Sequence, residues 1–403
     1  MVHITLLGLV LCLYFATATP FNSNTVSKTT DYPLPNQGHV AAHDPNILRY
    51  DNQYYLFKGG VKIPVFRAPE LDGPWERIGT VLDDLSTVPK QNRRRPWAPT
   101  VTYWRNRFYC FYSISKNGAR NSAIGLASSD SIEPGTWTDH GALINTGTGP
   151  LSNIYPYNVT NAIDPAFFAD PQTESPYLQY GSYWDGIFQI PLTDDLSIEN
   201  PTHPDADHLV YIPDEKRKPS EGSFMNYRAP YYYVWFSHGQ CCRFEQEGFP
   251  TEGKEYSIRL GRSESVHGPF VDRESKDLLD GGGTVIYGSN HGKVYAPGGL
   301  GILSSSGDDP DVLYYHYHNT SIGFAQGDAQ LGWNYLDYVD GWPVPRAPAS
   351  RGSNLQPTSY LTFVALLCMC CLVYTLHYKG LIGRKSTIPL VFLIALAFLW
   401  IQH

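Results

Sequence analysis

Five short motifs recur along the chain: His43-Asp44-Pro45, Trp97-Ala98-Pro99, Ile163-Asp164-Pro165, Glu221-Gly222 and Ala296-Pro297-Gly298. Successive openings lie 54 to 75 residues apart, and a tyrosine-rich or aromatic run follows each within 17 residues. Those runs, at 53–57, 107–113, 177–183, 231–236 and 312–317, are bounded by Gly, Asn, Asp or Pro. Apolar and β-branched stretches between such residues are strand-and-turn chemistry. Five units of this size predict an all-β, five-bladed β-propeller with one four-stranded sheet per unit. A pair of β-sandwiches would use the same runs, but it gives no reason for a polar motif once per unit. In a propeller the first strand of each blade lines the central channel, so the five motifs converge on one axis.

The composition suits this architecture. The 403 residues include 36 Gly, 31 Pro and 29 Tyr, which favours short strands and turns over long helices. A formal net charge of −8 excludes a general nucleic-acid binder.

The ends carry sorting signals. Residues 1–18 read as a secretory signal peptide, with an apolar run from Ile4 to Phe15 before Ala16-Thr17-Ala18. Residues 19–38 form a polar leader, 39–344 the propeller, and 345–359 a Pro- and Ser-rich linker. Residues 360–403 hold two apolar runs around His377, Lys379, Arg384 and Lys385. Either a helical hairpin with a cytoplasmic basic turn or a GPI-type signal fits that pattern. The expected location is the cell surface or extracellular space, with the C-terminal tail at a membrane. The propeller keeps three cysteines, Cys110, Cys241 and Cys242, too few for a disulfide framework. A vicinal Cys241–Cys242 bridge and a pairing with Cys110 are both open. The sequons at Asn158 and Asn319 suit the secretory route.

Three of the motifs carry an acid: Asp44, Asp164 and Glu221. Any one acid in a turn is ordinarily a solvated cap, but three at the same place in three repeats would meet at the axis. Carboxylates ringed by Trp97, Tyr183 and Trp184 suit a neutral, polyhydroxylated ligand, because sugars offer C–H faces to rings and hydroxyls to acids. Cleaving a glycosidic bond needs a protonated acid at the leaving oxygen and a second carboxylate opposite. Crowded like charges keep one acid protonated near neutral pH.

At these residues, from about His39 to Pro343, the chain resembles the arabinanase group of glycoside hydrolase family 43. The likeness rests on the five motifs together with Ser122-Ala123-Ile124-Gly125-Leu126-Ala127, Asn161-Ala162, Gly181-Ser182-Tyr183-Trp184, Cys241-Cys242, Gly261-Arg262-Ser263, Gly281-Gly282-Gly283 and Gly341-Trp342-Pro343. It implies a five-bladed propeller that cuts α-1,5-linked L-arabinan with inversion. Carried over, it implies Asp44 as general base, Glu221 as general acid and Asp164 as the carboxylate that orients the acid and tunes its pKa. It also implies Trp97, Asn161, Ser182, Tyr183 and Trp184 in substrate binding, and His316 holding a calcium or similar ion on the axis. His318 is a weaker rival for that ion. The expected partners are arabinan and pectic side chains, and the expected form is a monomer. Three positions depart from the family pattern: Thr100 in place of an acid, Ser223-Phe224-Met225 after Glu221-Gly222, and Ala296-Pro297-Gly298-Gly299 in place of Gly-Pro-Gly-His. The competing readings are an exo-acting α-L-arabinofuranosidase or β-xylosidase of the same family, and a binding propeller without activity. Arg93-Arg94-Arg95, just ahead of Trp97, reads as a solvated loop.

Overall fold

The computed structural model describes residues 33–305 and 309–346. The export signal, most of the leader, most of the linker and the hydrophobic tail lie outside the described residues. Among the described residues no helix is long and apolar enough to cross a membrane.

Twenty strands form five antiparallel four-stranded sheets, each in simple sequential order. Blade 1 is β1 (Asn46–Tyr50), β2 (Gln53–Phe57), β3 (Pro64–Ala68) and β4 (Glu76–Thr80). Blade 2 is β5 (Trp97–Trp104), β6 (Arg107–Ile114), β7 (Ala123–Ser129) and β8 (Thr138–Asn145). Blade 3 is β9 (Ala166–Ala169), β10 (Pro176–Tyr180), β11 (Ile187–Pro191) and β12 (Asp207–Val210). Blade 4 is β13 (Ser220–Arg228), β14 (Tyr231–His238), β15 (Ser257–Ser263) and β16 (Thr284–Tyr287), with a one-turn helix, α1 (Phe244–Glu247), between β14 and β15. Blade 5 is β17 (Val294–Leu303), β18 (Val312–Asn319), β19 (Ala329–Val339) and β20 (Trp342–Pro345). The five-bladed propeller read from the repeat is the observed architecture.

Local chemistry sets the strand ends. Asp51-Asn52, Arg105-Asn106 and Asp340-Gly341 join paired strands as two-residue loops with both residues at positive φ. This is the type I′ geometry whose twist matches a hairpin. Second strands such as β10 are buried along their whole length, because each is covered on both faces by adjacent blades. The apolar interior is accordingly divided among the seams. Separate clusters join blades 1 and 2, 2 and 3, 3 and 4, 4 and 5, and 5 and 1. Each fully buried Leu, Ile or Phe contributes about 1.5–3 kcal/mol.

The ring closes through the N-terminal segment. Ala42 N–H donates to Ala329 O, Leu331 N–H to Val40 O, and Leu34 N–H to Trp333 O. The outer edge of β19 is thus shared: residues 34–42 take its first half and β20 takes its second. Cys241 and Cys242 form a vicinal disulfide, and Cys110 is free and buried. Of the two pairings left open by the sequence, the adjacent one is present.

Candidate active site

Each blade carries a residue in the left-handed region just before or within its first strand: Asp44 (φ 49°), Ala98 (φ 40°), Asp164 (φ 56°), Gly222 (φ 58°) and Gly299 (φ 55°). These five and the residues that follow them ring a cavity on the axis. This corrects the sequence alignment of the units at two places. Glu221 stands one residue before the equivalent of Asp44 and Asp164, level with His43, Trp97 and Ile163. In blade 5 the equivalent position is Gly299, not Ala296. Ala296 packs instead against Phe244 and Tyr256. The axial cavity encloses about 30 Å³, enough for water-sized species and far too small for a sugar.

A second pattern ties neighbouring blades together. Ser113 on β6 accepts from the Asp164 N–H at 2.9 Å, and Ser237 on β14 accepts from the Gly299 N–H at 3.0 Å. His316 on β18 holds the corresponding place, its Nδ1 accepting from the Asp44 N–H at 3.1 Å. In each case a second-strand side chain fixes the left-handed residue of the next blade. Ser113 and Ser237 escaped the sequence reading. Their signal is a hydroxyl inside an otherwise apolar aromatic strand, at the register position opposite Trp97 and Glu221.

The three carboxylates sit in different surroundings. His43 Nδ1 lies 3.0 Å from Asp44 Oδ2, and His316 Nδ1 lies 3.4 Å from Asp44 Oδ1. The two imidazoles stack at 4.2 Å, and the Tyr256 ring stacks on the far side of His316 at 5.9 Å. Burial alone would raise Asp44, but the two histidines outweigh it and hold the carboxyl well below the usual range. His43 moves the other way: burial lowers it, and the Asp44 charge more than compensates. His316 is pushed down to about 4 by burial and by its charged neighbour His43.

Glu221 is raised, by burial first and also by the Asp44 charge. Ser182 Oγ donates to Glu221 Oε2 at 2.6 Å, and the Tyr256 hydroxyl bonds the same carboxyl; both bonds pull in the opposite direction. Asp164 is raised well above its ordinary value by burial, then by the charges of Glu221 and Asp44. Asp164 Oδ2 accepts from the Gly222 N–H at 3.2 Å, so it grips the backbone immediately after Glu221. One carboxylate is therefore held ionised while two are held toward protonation on the same axis.

The other predicted residues are spread around this centre. Ser182 touches the acid directly. Tyr183 is half-buried, feels the Glu221 charge, and is tied to β13 by its N–H donating to Ser220 O at 3.0 Å. Trp184 follows at the loop tip, 37% exposed. Trp97 is half-buried at the start of β5, level with Glu221 in the ring. Asn161 is buried ahead of Asp164, its side-chain oxygen without a protein partner. His318 lies away from the carboxylates, against Phe244 and Phe324. Thr100 Oγ1 donates to Pro165 O at 2.6 Å, tying blade 2 to blade 3. Tyr256, which had no sequence signal, is a fully buried partner of Glu221, and a side chain at Gly298 would overlap its ring.

His43, Asp44 and His316 offer ligand atoms within 4.8 Å of one another. The Nε2 atoms of His43 and His316 are buried without a protein partner. One carboxylate and imidazole nitrogen fit a cation only if water completes the shell, since hard ions take six or more oxygens.

The family model of the glycosyl hydrolases family 43 matches residues 38–343. The chain is 71% identical over 377 residues, 92% of its own length and 98% of the relative's, to a probable arabinan endo-1,5-alpha-L-arabinosidase D of Emericella nidulans. Among solved structures it is similar to the Cellvibrio cellulosa alpha-L-arabinanase complexed with arabinohexaose, at 25% identity and TM-score 0.66, covering 77% of this chain and 96% of that one. It is also similar to the endo-arabinanase of Bacillus licheniformis, at 28% identity and TM-score 0.62, covering 77% and 99%. The chain belongs to the glycosyl hydrolases family 43.

Proposed function

We propose that the chain is an arabinan endo-1,5-α-L-arabinosidase, hydrolysing its substrate with inversion. The observation that carries the mechanism is the split between buried carboxylates on one axis: Asp44 held ionised, Glu221 held toward its protonated form. Inverting hydrolysis needs that pair. Asp44 takes a proton from a water as its oxygen attacks the anomeric carbon. Glu221 gives its proton to the glycosidic oxygen as the C–O bond breaks. Asp164 acts through position, its Oδ2 accepting from the Gly222 N–H and so fixing the backbone beside Glu221. Ser182 and Tyr256 hold the Glu221 carboxyl in one orientation. Trp97, Tyr183 and Trp184 supply the aromatic lining against which sugar rings stack, and Asn161 supplies a polar contact.

His316, with His43 and Asp44, would hold a calcium or similar ion. When bound, such an ion supplies positive charge that steadies the carboxylate cluster. Endo action follows the names of the relatives, and the substrate is arabinan of pectic side chains. Export through residues 1–18, retention through residues 360–403 and a monomeric state complete the proposal. Assay on linear arabinan and on small aryl glycosides tests it, with Asp44→Asn and Glu221→Gln as controls. Wild-type protein should cut arabinan, and each variant should lose about 10²–10⁴-fold in rate. Turnover of aryl glycosides alone would support exo action, and a Glu221→Gln protein of undiminished rate would remove the acid assignment.

A further inference from the structure

A second cavity, of about 730 Å³, opens on blade 1 and is lined by Gln53, Arg67, Pro69, Pro74, Trp75 and Glu76. Unlike the axial cavity, its size falls in the range of ligand sites. Its place in the blade sets it apart from the catalytic centre. β1 leaves the axis just after Asp44 and ends at the Asp51-Asn52 turn; Gln53, the end of β3 and the approach to β4 all lie at that far end. Five residues of strand, roughly 17 Å, separate it from the level of the carboxylates. It belongs to the opposite face of the propeller and cannot extend the same groove.

The chemistry of the cavity is that of a carbohydrate site. Trp75 lines the cavity with its indole N–H buried, and Pro69 and Pro74 line it as well. The rim is polar but balanced: Arg67 and Glu76 stand opposite each other on β3 and β4, and Gln53 adds an amide from β2. Arg67 pairs loosely with Glu133 at 3.4 Å, and Glu76 has no side-chain hydrogen bond or ion pair among the described residues. An apolar platform with a charge-balanced, hydrogen-bonding rim selects an uncharged ligand with C–H faces and hydroxyls. The wall is also preformed. Gln37 holds the turn before Trp75 by its N–H to Asp72 O at 2.8 Å and by its amide to Asp72 Oδ1 and Gly73 O, both at 3.2 Å.

We infer that this cavity is an auxiliary binding site for a furanosyl stretch of arabinan, and the inference rests on the activity proposed above. A weak second site on a polymer-cutting enzyme raises the local concentration of chain without taking part in chemistry. It therefore acts on long substrates only.

The test compares Trp75→Ala and the double variant Gln53→Ala/Glu76→Ala with the wild type. Trp75 also packs on the seam between blades 5 and 1, so the double variant, confined to the rim, guards against misfolding. On long linear arabinan, KM should rise about three- to tenfold with kcat unchanged. On a short arabino-oligosaccharide, too short to reach both faces, neither constant should move. In the Glu221→Gln background, both variants should weaken arabinan retention in affinity electrophoresis. Unchanged retention and KM in both variants, or equal changes on short and long substrates, would overturn the site. A wild-type protein that cuts no arabinan would instead overturn the proposed activity.

Discussion

A single methyl group placed at Gly299 tests the architecture of the site. Gly299 has φ +55°, and a Cβ there would stand 2.5 Å from both Asp44 Oδ1 and His316 Nδ1. Ordinary contact distances are about 3.5 Å, so Asp44 or His316 must give way by about 1 Å. Misplacement by that amount costs about 10²-fold in rate. The left-handed backbone adds about 1–2 kcal/mol of strain for a residue with a Cβ, and overpacking adds about 1–3 kcal/mol. Gly299→Ala should therefore remain folded, with a melting temperature lower by several degrees, while kcat on linear arabinan falls about 100-fold. The control is Gly118→Ala, at φ +72° with nothing within 4 Å of the added carbon. It carries the backbone strain without the collision and should keep full activity. Folded Gly299→Ala protein within about twofold of wild-type rate, or an equal loss in Gly118→Ala, would refute the placement of Asp44 against His316.

Two further predictions follow from the electrostatics. Ser182→Ala removes a donor that favours ionised Glu221; the acid should keep its proton to higher pH, moving the alkaline limb of the kcat/KM profile upward. A limb that stays in place or moves down contradicts the Ser182–Glu221 contact. His318 is pushed to about 4 by burial and by His316 and His43. The unfolded chain therefore binds its proton first, and stability from this group is full above about pH 6.5 and lost as pH falls toward 4. His318→Phe, which fills the same aromatic cluster, should flatten the fall in urea midpoint between pH 7 and 4, and an unchanged slope would refute it.

The five blades were legible because short opening motifs, four of them Pro-containing, alternate with aromatic runs from residue 43 to 317, and alternation of that kind is what a propeller is built from. The register of the openings was legible only in blades 1 to 3. In blade 5 no acid marks the axial position, and Ala296, itself at φ 51°, precedes the true equivalent Gly299. Glu221 lies one residue before the position that Asp44 and Asp164 hold, which Gly222 fills in blade 4, so aligning the acids alone misplaces it. Ser113 and Ser237 were invisible for a different reason: each acts across a blade boundary, through contacts 51 and 62 residues distant in sequence, while Tyr256 meets Glu221 within blade 4 from 35 residues away. Local patterning carries strands and turns; it does not carry which second strand faces which axial residue. The closure of the ring by residues 34–42 was hidden likewise, since a polar leader and an edge-pairing segment have the same composition.

The most direct measurement is ¹H NMR of the products formed in the first minutes on linear arabinan. An Asp44 base and a Glu221 acid acting within the chain predict mixed oligosaccharides whose new reducing ends have the configuration opposite to the α-linkage cut. Products that retain that configuration would contradict single displacement by water, and release of one small sugar alone would contradict cleavage within the chain.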